Sequence, residues 1–293
     1  MTDKQKNFIT RTVTSVLFVV VLVGCVTYPN PIVFASLFAI ISSMTTWEFC
    51  TIVNTGIGTK TNKFVCAVAS AYLFLAIFAY NLNITGSGIF MPYLLTIIYL
   101  FISELYIDRN NTLLNWAFMM MSQMYIALPF ASMNALALIS VPDRFRGMEV
   151  VYSPELILGV FFFIWCSDAG AYCVGSLIGK HKLFPRISPA KSWEGSIGGG
   201  IVSILVSMVM AFLFPIFSED NNVINSLCWA GLSVVVTFFG TWGDLVESLI
   251  KRKLSIKDSG NILPGHGGML DRFDSSLMAF PAAVIYVYMI TQM

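Results

Sequence analysis

Residues 154–174 read PELILGVFFFIWCSDAGAYCV, an apolar run long enough to cross a membrane as a helix. About 18 or more apolar residues with few charges are typical of a transmembrane helix. Similar runs recur along the chain, in which 57% of the residues are hydrophobic and 11% are charged. A soluble domain carries roughly 25% charged residues. The sequence therefore predicts an all-α polytopic membrane protein.

Nine transmembrane helices define the predicted architecture. The second and the eighth contain carboxylates and are less typical of spans by hydropathy alone. The sequence shows no internal repeat, so we expect one integral membrane domain over residues 1–293, with scaffold helices mainly in 1–150 and the chemistry in 151–293. The predicted spans are 12–28, 31–53, 64–80, 89–107, 112–129, 154–174, 197–217, 226–246 and 275–291.

The distribution of Lys and Arg predicts the orientation, because these residues collect in cytoplasmic loops. With the N-terminus inside and the C-terminus outside, only Arg144 and Arg146 of the 17 Lys and Arg residues fall in outer loops. Two long polar loops, 175–196 and 247–274, then lie on the inner side. We therefore expect the chemistry in a polar cavity that faces the cytoplasm.

Charge and cysteine content narrow the kinds of site. The net charge of +1 says little about binding partners. From the apolar composition we expect the lipid bilayer as a partner, and we expect no nucleic acid. The six cysteines lie in or beside apolar segments without a CxxC pair. This pattern suggests neither a zinc site nor a disulfide framework.

Carboxylates inside the predicted spans are the first candidate functional groups. An Asp at the centre of a span costs roughly 2.5–3.5 kcal/mol on insertion scales, so each should be paired, interfacial or part of a polar cavity. Glu48 and Glu104 fit either a paired or interfacial group without chemistry or a group that lines a polar cavity. Asp168 shares a helical face with Gly175 and Gly179, a pattern typical of close helix packing. Because this face also carries a carboxylate, it fits the wall of a polar cavity equally well.

The stretch GTWGDLVESLIKRK, residues 240–253, places four polar side chains on one helical face. Asp244, Glu247, Ser248 and Lys251 recur at i, i+3, i+4 and i+7. A structural ion-pair ladder would explain this face by itself. It does not explain the polar loop that follows, so a binding site is the favoured interpretation.

That loop, residues 257–274, reads KDSGNILPGHGGMLDRFD. Its glycines let backbone N–H groups approach an anion, next to the N-terminus of the following helix. Its basic residues suit phosphate oxygens, although anchoring to anionic lipid headgroups would need only such cations. The interleaved Asp258, Asp271 and Asp274 would repel a phosphate unless a divalent cation lies between them, and Mg²⁺ fits that role. Asp271 and Asp274 alone would also serve as helix N-terminal caps.

The other inner loop, GKHKLFPRISPAKSWEGS at residues 179–196, repeats the same mixture of bases, hydroxyls and a carboxylate. Ser188, Lys191 and Ser192 offer hydrogen-bond donors without a P-loop pattern. Its basic residues are also explained as topology signals. Two such loops on one side favour a site for a multiply phosphorylated ligand.

Residues 248–274 resemble the signature of phosphatidate cytidylyltransferases (CDP-diacylglycerol synthases). The pattern S-x-x-K-R, four residues, K-D-x-G, then P-x-H-G-G-x-x-D-R-x-D is met without a gap. The resemblance extends to Asp168 and to the Ser-Pro-x-Lys-Ser-Trp-Glu-Gly run at 188–195. The sequence departs from the family at Ala190, where Lys is usual, and at Ser192, where Thr is usual.

The resemblance implies an all-helical, dimeric enzyme of the bacterial inner membrane that joins CTP to phosphatidate with Mg²⁺, a second cation being left open. By motif, the metal-binding carboxylates are Asp244 and Asp271, to which the charge pattern adds Glu247. Catalytic roles are expected for Asp244, Asp271, Lys251 and His266. Substrate binding is expected from Lys191, Ser192, Ser188, Arg252, Lys257, Asp258, Gly267, Gly268, Arg272 and Asp168.

Two other classes of function stay open. A CTP-dependent lipid kinase of the dolichol or phytol kinase type would use a related membrane architecture and the same nucleotide. An ion-coupled transporter would also carry carboxylates inside its spans. A transporter predicts inverted repeats and polar residues in both halves, whereas the polar residues here concentrate after residue 165.

Overall fold

The computed structural model describes residues 3–107, 111–143, 147–218, 220–260, 262 and 267–291. Helices dominate this part of the chain, and its strands form two antiparallel hairpins. The predicted all-α class is therefore confirmed. The chain divides into two compact units, Met1–Tyr152 with Lys253–Phe273, and Ser153–Arg252 with Asp274–Met293.

The first unit holds the N-terminal helices and most of the 257–274 loop. A 3₁₀ turn at Ser87–Phe90 precedes α4, and a π-helical segment at Gln123–Ala127 follows α5. The elements are α1 (Asp3–Thr27), α2 (Pro31–Ile57), α3 (Lys63–Asn81), α4 (Met91–Tyr106), α5 (Thr112–Ser122), α6 (Leu128–Ser132), α7 (Asn134–Ala137), β1 (Leu138–Asp143), β2 (Gly147–Tyr152) and, from the loop after residue 253, α11 (Leu270–Phe273).

Local sequence signals set several helix ends in this unit. The Asn30 side chain accepts a hydrogen bond from the Ile32 N–H, and Pro31 occupies the first helical position of α2. Gly58 ends α2 at φ +77°, in the left-handed region that favours glycine. Asn62 caps α3 by accepting from the Val65 N–H at 3.2 Å. These caps satisfy backbone groups that a helix end otherwise leaves open.

The second unit contains four helices and one hairpin. The elements are α8 (Glu155–Ile178), β3 (Lys182–Phe184), β4 (Ser188–Ser192), α9 (Trp193–Leu213), α10 (Asn222–Lys253) and α12 (Ser276–Thr291). Only the last residue of α10, Lys253, belongs to the first unit. Helices α8 and α9 pack closely through glycines. A Cβ on Gly198 would lie 2.6 Å from the Val174 side chain, and one on Gly175 would lie 3.4 Å from the Gly195 Cα. The close packing predicted for the face of Asp168 and Gly175 is therefore confirmed.

Seven helical segments of the described residues are long and apolar enough to cross a membrane. They correspond to seven of the nine predicted spans and confirm an integral membrane protein. The apolar part of α1, Thr12–Thr27, is shorter. The predicted span 112–129 is divided among α5, the π-helical segment and α6, so the number nine stays a prediction. The seven are Pro31–Ile57, Lys63–Asn81, Ser87–Tyr106, Glu155–Ile178, Trp193–Leu213, Asn222–Lys253 and Leu270–Thr291.

Candidate active site

A cavity of about 270 Å³ in the second unit collects four of the predicted site residues. We call it the polar pocket, and it is formed by the end of α8, the start of α9, strand β4 and the middle of α10. Its wall includes the carboxylates and the cation that the sequence singled out. The polar residues that line it are Ser167, Asp168, Tyr172, Lys191, Ser192, Ser196, Thr237, Thr241 and Asp244.

An ion pair crosses the polar pocket. Lys191 Nζ lies 2.5 Å from Asp244 Oδ2, and both side chains are about one quarter exposed. The Ser248 hydroxyl donates to the other oxygen of Asp244 at 3.2 Å. Asp168 lies near this pair and attracts Lys191 electrostatically. The pocket therefore offers a cation held between two carboxylates, with access to a ligand.

Ser192, the other predicted residue of this loop, has a clear local role. It is the N-cap of α9, and its hydroxyl accepts a hydrogen bond from the Gly195 N–H at 3.2 Å. Glu194 accepts from the N–H groups of Lys180 and His181 at 3.2 Å and contacts His181 Nδ1 at 2.5 Å. These bonds fold the loop back on the start of α9. Its substrate-binding role stays a prediction.

Three carboxylates form what we call the acidic cluster: Asp244, Glu247 and Asp274. Each offers an oxygen atom, and these atoms lie within 4.8 Å of one another. Glu247 is fully buried, and its Oε2 lies 2.6 Å from Lys251 Nζ. Carboxylates at this spacing repel one another unless cations offset their charge, and Lys191 and Lys251 pair with two of the three. Several carboxylate oxygens are the donor set that a hard cation such as Mg²⁺ takes, so the cluster fits the metal that the sequence implied.

Gly243 explains how the acidic cluster forms. A Cβ on Gly243 would lie 2.7 Å from the Asp274 carbonyl oxygen and 3.1 Å from the Ser275 carbonyl oxygen. The absence of a side chain here lets α10 approach the chain at 274–275. Asp244 and Asp274 therefore come together, although only Asp244 and Glu247 share a helical face.

In the first unit, Asp271 organises the signature loop, which we define as residues 254–260 and 267–273. Its Oδ2 accepts hydrogen bonds from the N–H groups of Ser259 and Gly268 at 2.8 Å and lies 3.0 Å from the Ser259 hydroxyl. Gly267 adopts φ +79°, and a Cβ there would lie 2.6 Å from Asp271 Oδ2. The loop glycines let the backbone approach a carboxylate of the protein itself, and their predicted approach to a bound anion stays a prediction.

Two buried carboxylates of the first unit are both paired. Glu48 Oε2 accepts from the Leu270 N–H at 2.7 Å and from the Ser259 hydroxyl at 3.0 Å. Glu104 Oε2 accepts from Asn115 Nδ2 at 2.9 Å. The paired interpretation therefore holds for each of them.

The remaining predicted residues are distributed over the two units. Arg252, in the second unit, donates from Nε to the Ile187 carbonyl at 3.3 Å, and Ser188 begins β4. Lys257, Asp258 and Arg272, in the first unit, are exposed. His266 lies outside the described residues. The shared cation predicted for Asp244 and Asp271 stays a prediction.

Asp274 is the residue that the sequence left open, between a helix cap and a ligand. The structure places its carboxylate in the acidic cluster, where Oδ1 also accepts the N–H of Ser275 at 2.6 Å. In the sequence, this role is indicated by the position of Asp274 as the last fixed Asp of the signature pattern P-x-H-G-G-x-x-D-R-x-D.

These features define an integral membrane protein of helices that carry a polar pocket and an acidic cluster, a combination suited to phosphorylated ligands. The sequence matches the Cytidylyltransferase family over residues 9–290, and the chain belongs to that family. It is therefore a nucleotidyltransferase by family, and the predicted resemblance is confirmed.

Named proteins with similar sequences support this family assignment. The chain is 39% identical over 196 residues to the phosphatidate cytidylyltransferase of Staphylococcus haemolyticus, which covers 67% of this chain and 68% of the relative. It is 37% identical over 189 residues to the protein of the same name from Staphylococcus aureus, covering 64% and 65%. For the Staphylococcus saprophyticus protein the identity is 38% over 189 residues, with the same coverage. The aligned part spans about two thirds of these relatives' length.

Proposed function

We propose that this chain joins CTP to phosphatidate, giving CDP-diacylglycerol and pyrophosphate, with a divalent cation. The observation that carries the proposal is the ion pair of Lys191 and Asp244 in the polar pocket, beside the acidic cluster. The names of the relatives supply the substrates, and the charges of this site suit them.

The reaction needs no protein nucleophile. A phosphate oxygen of phosphatidate attacks the α-phosphorus of CTP, and the bond from that phosphorus to the bridging oxygen breaks. The electron pair leaves with pyrophosphate. Because both reactants are anionic, the protein must position them and offset their mutual repulsion.

The residues of the second unit divide this work between them. Lys191 is the cation with access to the pocket, and it binds a substrate phosphate as a point charge. Asp168 and Asp244 keep its ammonium group in place before the substrate arrives. Lys251 offsets the charge of buried Glu247 within α10.

The acidic cluster is the metal site of this proposal. Asp244, Glu247 and Asp274 would hold Mg²⁺, in line with the sequence prediction for the first two. When bound, the ion would neutralise phosphate charge and polarise a phosphoryl oxygen. Asp271 as a further ligand, a second cation and the homodimer implied by the resemblance stay predictions.

The apolar helices and the uneven distribution of Lys and Arg between inner and outer loops support a location and an orientation in the membrane. We place the protein in the bacterial inner membrane, with the N-terminus and the site on the cytoplasmic side and the C-terminus outside. Cysteine accessibility at residue 12 and at residue 291 in sealed vesicles would test this orientation. Labelling of both ends from the same side would contradict it.

Position-specific labelling of CTP tests the reaction. Purified protein receives phosphatidate, Mg²⁺ and CTP labelled either in the cytosine ring or in the γ-phosphate. We expect the ring label in the lipid and the γ label in pyrophosphate, both dependent on Mg²⁺. Transfer of only the γ label to a lipid would identify a lipid kinase, and no transfer of either label would refute both enzymes.

A further inference from the structure

We propose that Glu48 in α2 is a positioning residue that holds the signature loop in the conformation that presents Asp271. Glu48 is 4% exposed, and it lies 211 residues before Ser259 in the chain. Both belong to the first unit. The N-terminal part of the chain therefore contributes an interaction to the signature as well as a scaffold.

The bonds of Glu48 lead directly to Asp271. Ser259 is 3% exposed, and its hydroxyl oxygen lies 3.0 Å both from Glu48 Oε2 and from Asp271 Oδ2. A hydroxyl has one hydrogen, so it donates to one of these carboxylates at a time. Backbone N–H groups hold each carboxylate independently, that of Leu270 for Glu48 and that of Gly268 for Asp271. Glu48 thus fixes the loop at Ser259 and at Leu270, the residue before Asp271.

The backbone of the loop is shaped around this carboxylate. A Cβ on Gly260 or on Gly268 would collide with Glu48 Oε1. Two glycines of the loop are therefore needed so that its backbone can approach the Glu48 side chain. The N–H of Leu270 and the hydroxyl of Ser259 both reach Glu48 Oε2, so this oxygen is hydrogen-bonded although the side chain is buried.

Glu104 provides a matched comparison. It is 3% exposed, it also lies in a membrane helix of the first unit, and it also accepts a hydrogen bond. Its partner Asn115 accepts the N–H of Lys60 at 2.8 Å, so these bonds join α4 and α5 to the segment between α2 and α3. A general need for a buried carboxylate would affect both residues, whereas loop positioning affects Glu48 alone.

Trypsin cleavage after exposed Lys257 measures how firmly the loop is held, whatever the protein catalyses. In the full-length protein, we expect Glu48→Ala to raise this cleavage rate about ten-fold, because lost hydrogen bonds favour local opening. Glu48→Gln retains an acceptor oxygen and should restore the wild-type rate, and Glu104→Ala should cleave as wild type does. Wild-type cleavage of Glu48→Ala would overturn the proposal, as would equal rates for the Gln and Ala variants.

Ser259→Ala tests the same link without any change in α2, should Glu48→Ala not fold. It should also accelerate cleavage, and the Glu48→Ala, Ser259→Ala pair should show less than the product of the single effects, since both remove one interaction. A multiplicative pair would mean that the two side chains act separately, and the proposal would be wrong.

The kinetic consequence rests on the proposed function. Glu48→Ala should lower kcat for lipid-linked cytidine about ten-fold while the KM for CTP changes less than about two-fold, and Glu48→Gln should recover kcat. An unchanged kcat would overturn a role in the reaction. If wild-type protein makes no CDP-diacylglycerol, the proposed function fails, and the cleavage rates alone decide whether Glu48 holds the loop.

Discussion

Lys191 and Asp244 bring strand β4 and helix α10 together across the polar pocket, with 2.5 Å between Nζ and Oδ2. Both side chains are about one quarter exposed. Ion pairs with this exposure contribute only about 0–1 kcal/mol to stability, so structural support is a weak explanation for the pair. A cation and a carboxylate that line a cavity are what the proposed function requires for the binding of a phosphate and of its counter-ion.

Asp244→Asn should lower the turnover of CTP and phosphatidate at least about a hundred-fold, because the proposed metal site loses one of its carboxylates. Expression and topology should stay normal, since the amide has the same shape. Formation of lipid-linked cytidine measures the effect. Asp220→Asn, at an exposed residue of the second unit, is the control and should retain full activity. Near-normal turnover by Asp244→Asn would remove this residue from the metal site.

Lys191→Ala should leave residual activity with a raised substrate requirement. A hydrogen bond from a charged group is worth about 1.5–3 kcal/mol, which corresponds to a rise of roughly ten- to hundred-fold in KM. Initial rates at varied CTP and varied phosphatidate show which substrate Lys191 binds. Lys182→Ala, at an exposed lysine of the neighbouring strand β3, should change neither constant. Unchanged kinetics of Lys191→Ala would exclude it from substrate binding.

Asp274→Asn should weaken Mg²⁺ binding by roughly ten-fold or more, because the acidic cluster loses one of its three carboxylates. Mg²⁺ should raise the thermal midpoint of the wild type, as any ligand of the folded state does, and this shift should shrink in the variant. The measurement needs no substrate. An Mg²⁺ shift equal to that of the wild type would show that Asp274 does not bind the ion.

The same titration tests the predicted role of Asp271. If Asp271 shares the cation with Asp244, Asp271→Asn should lose the Mg²⁺ shift as Asp274→Asn does. Asp220→Asn again provides the control with an exposed acid. A full Mg²⁺ shift in Asp271→Asn would limit this residue to its bonds with Ser259 and Gly268.

Hydropathy predicted most of the helices, because an apolar run of this length must satisfy its backbone internally within a bilayer. The irregular span was not predictable in the same way. Pro129 lacks an N–H and crowds the carbonyl four residues earlier, that of Tyr125, and the helix widens into the π-helical segment Gln123–Ala127 at that point. Hydropathy does not register this backbone effect.

Within the acidic cluster, helical periodicity predicted only the residues that share one face of α10. Asp244, Glu247 and Lys251 follow the period of one helix, and the structure confirms the Glu247–Lys251 pair at 2.6 Å. The approach of Asp274 depends on tertiary packing at Gly243, and the Glu48–Ser259 bond joins residues 211 positions apart. Such contacts leave no periodic pattern in a single sequence.

Gly243→Ala tests whether close packing builds the acidic cluster. The added Cβ would lie 2.7 Å from the Asp274 carbonyl oxygen, a backbone atom that cannot simply rotate away. Overpacking of this kind costs about 1–3 kcal/mol, so we expect a lower thermal midpoint together with weaker Mg²⁺ binding. Gly200→Ala is the matched control in α9, because the nearest atom to its Cβ would be 4.0 Å away. That variant should be as stable as the wild type or more so, since Ala favours a helix over Gly. A Gly243→Ala protein with normal stability and normal Mg²⁺ binding would show that the cluster does not depend on this contact.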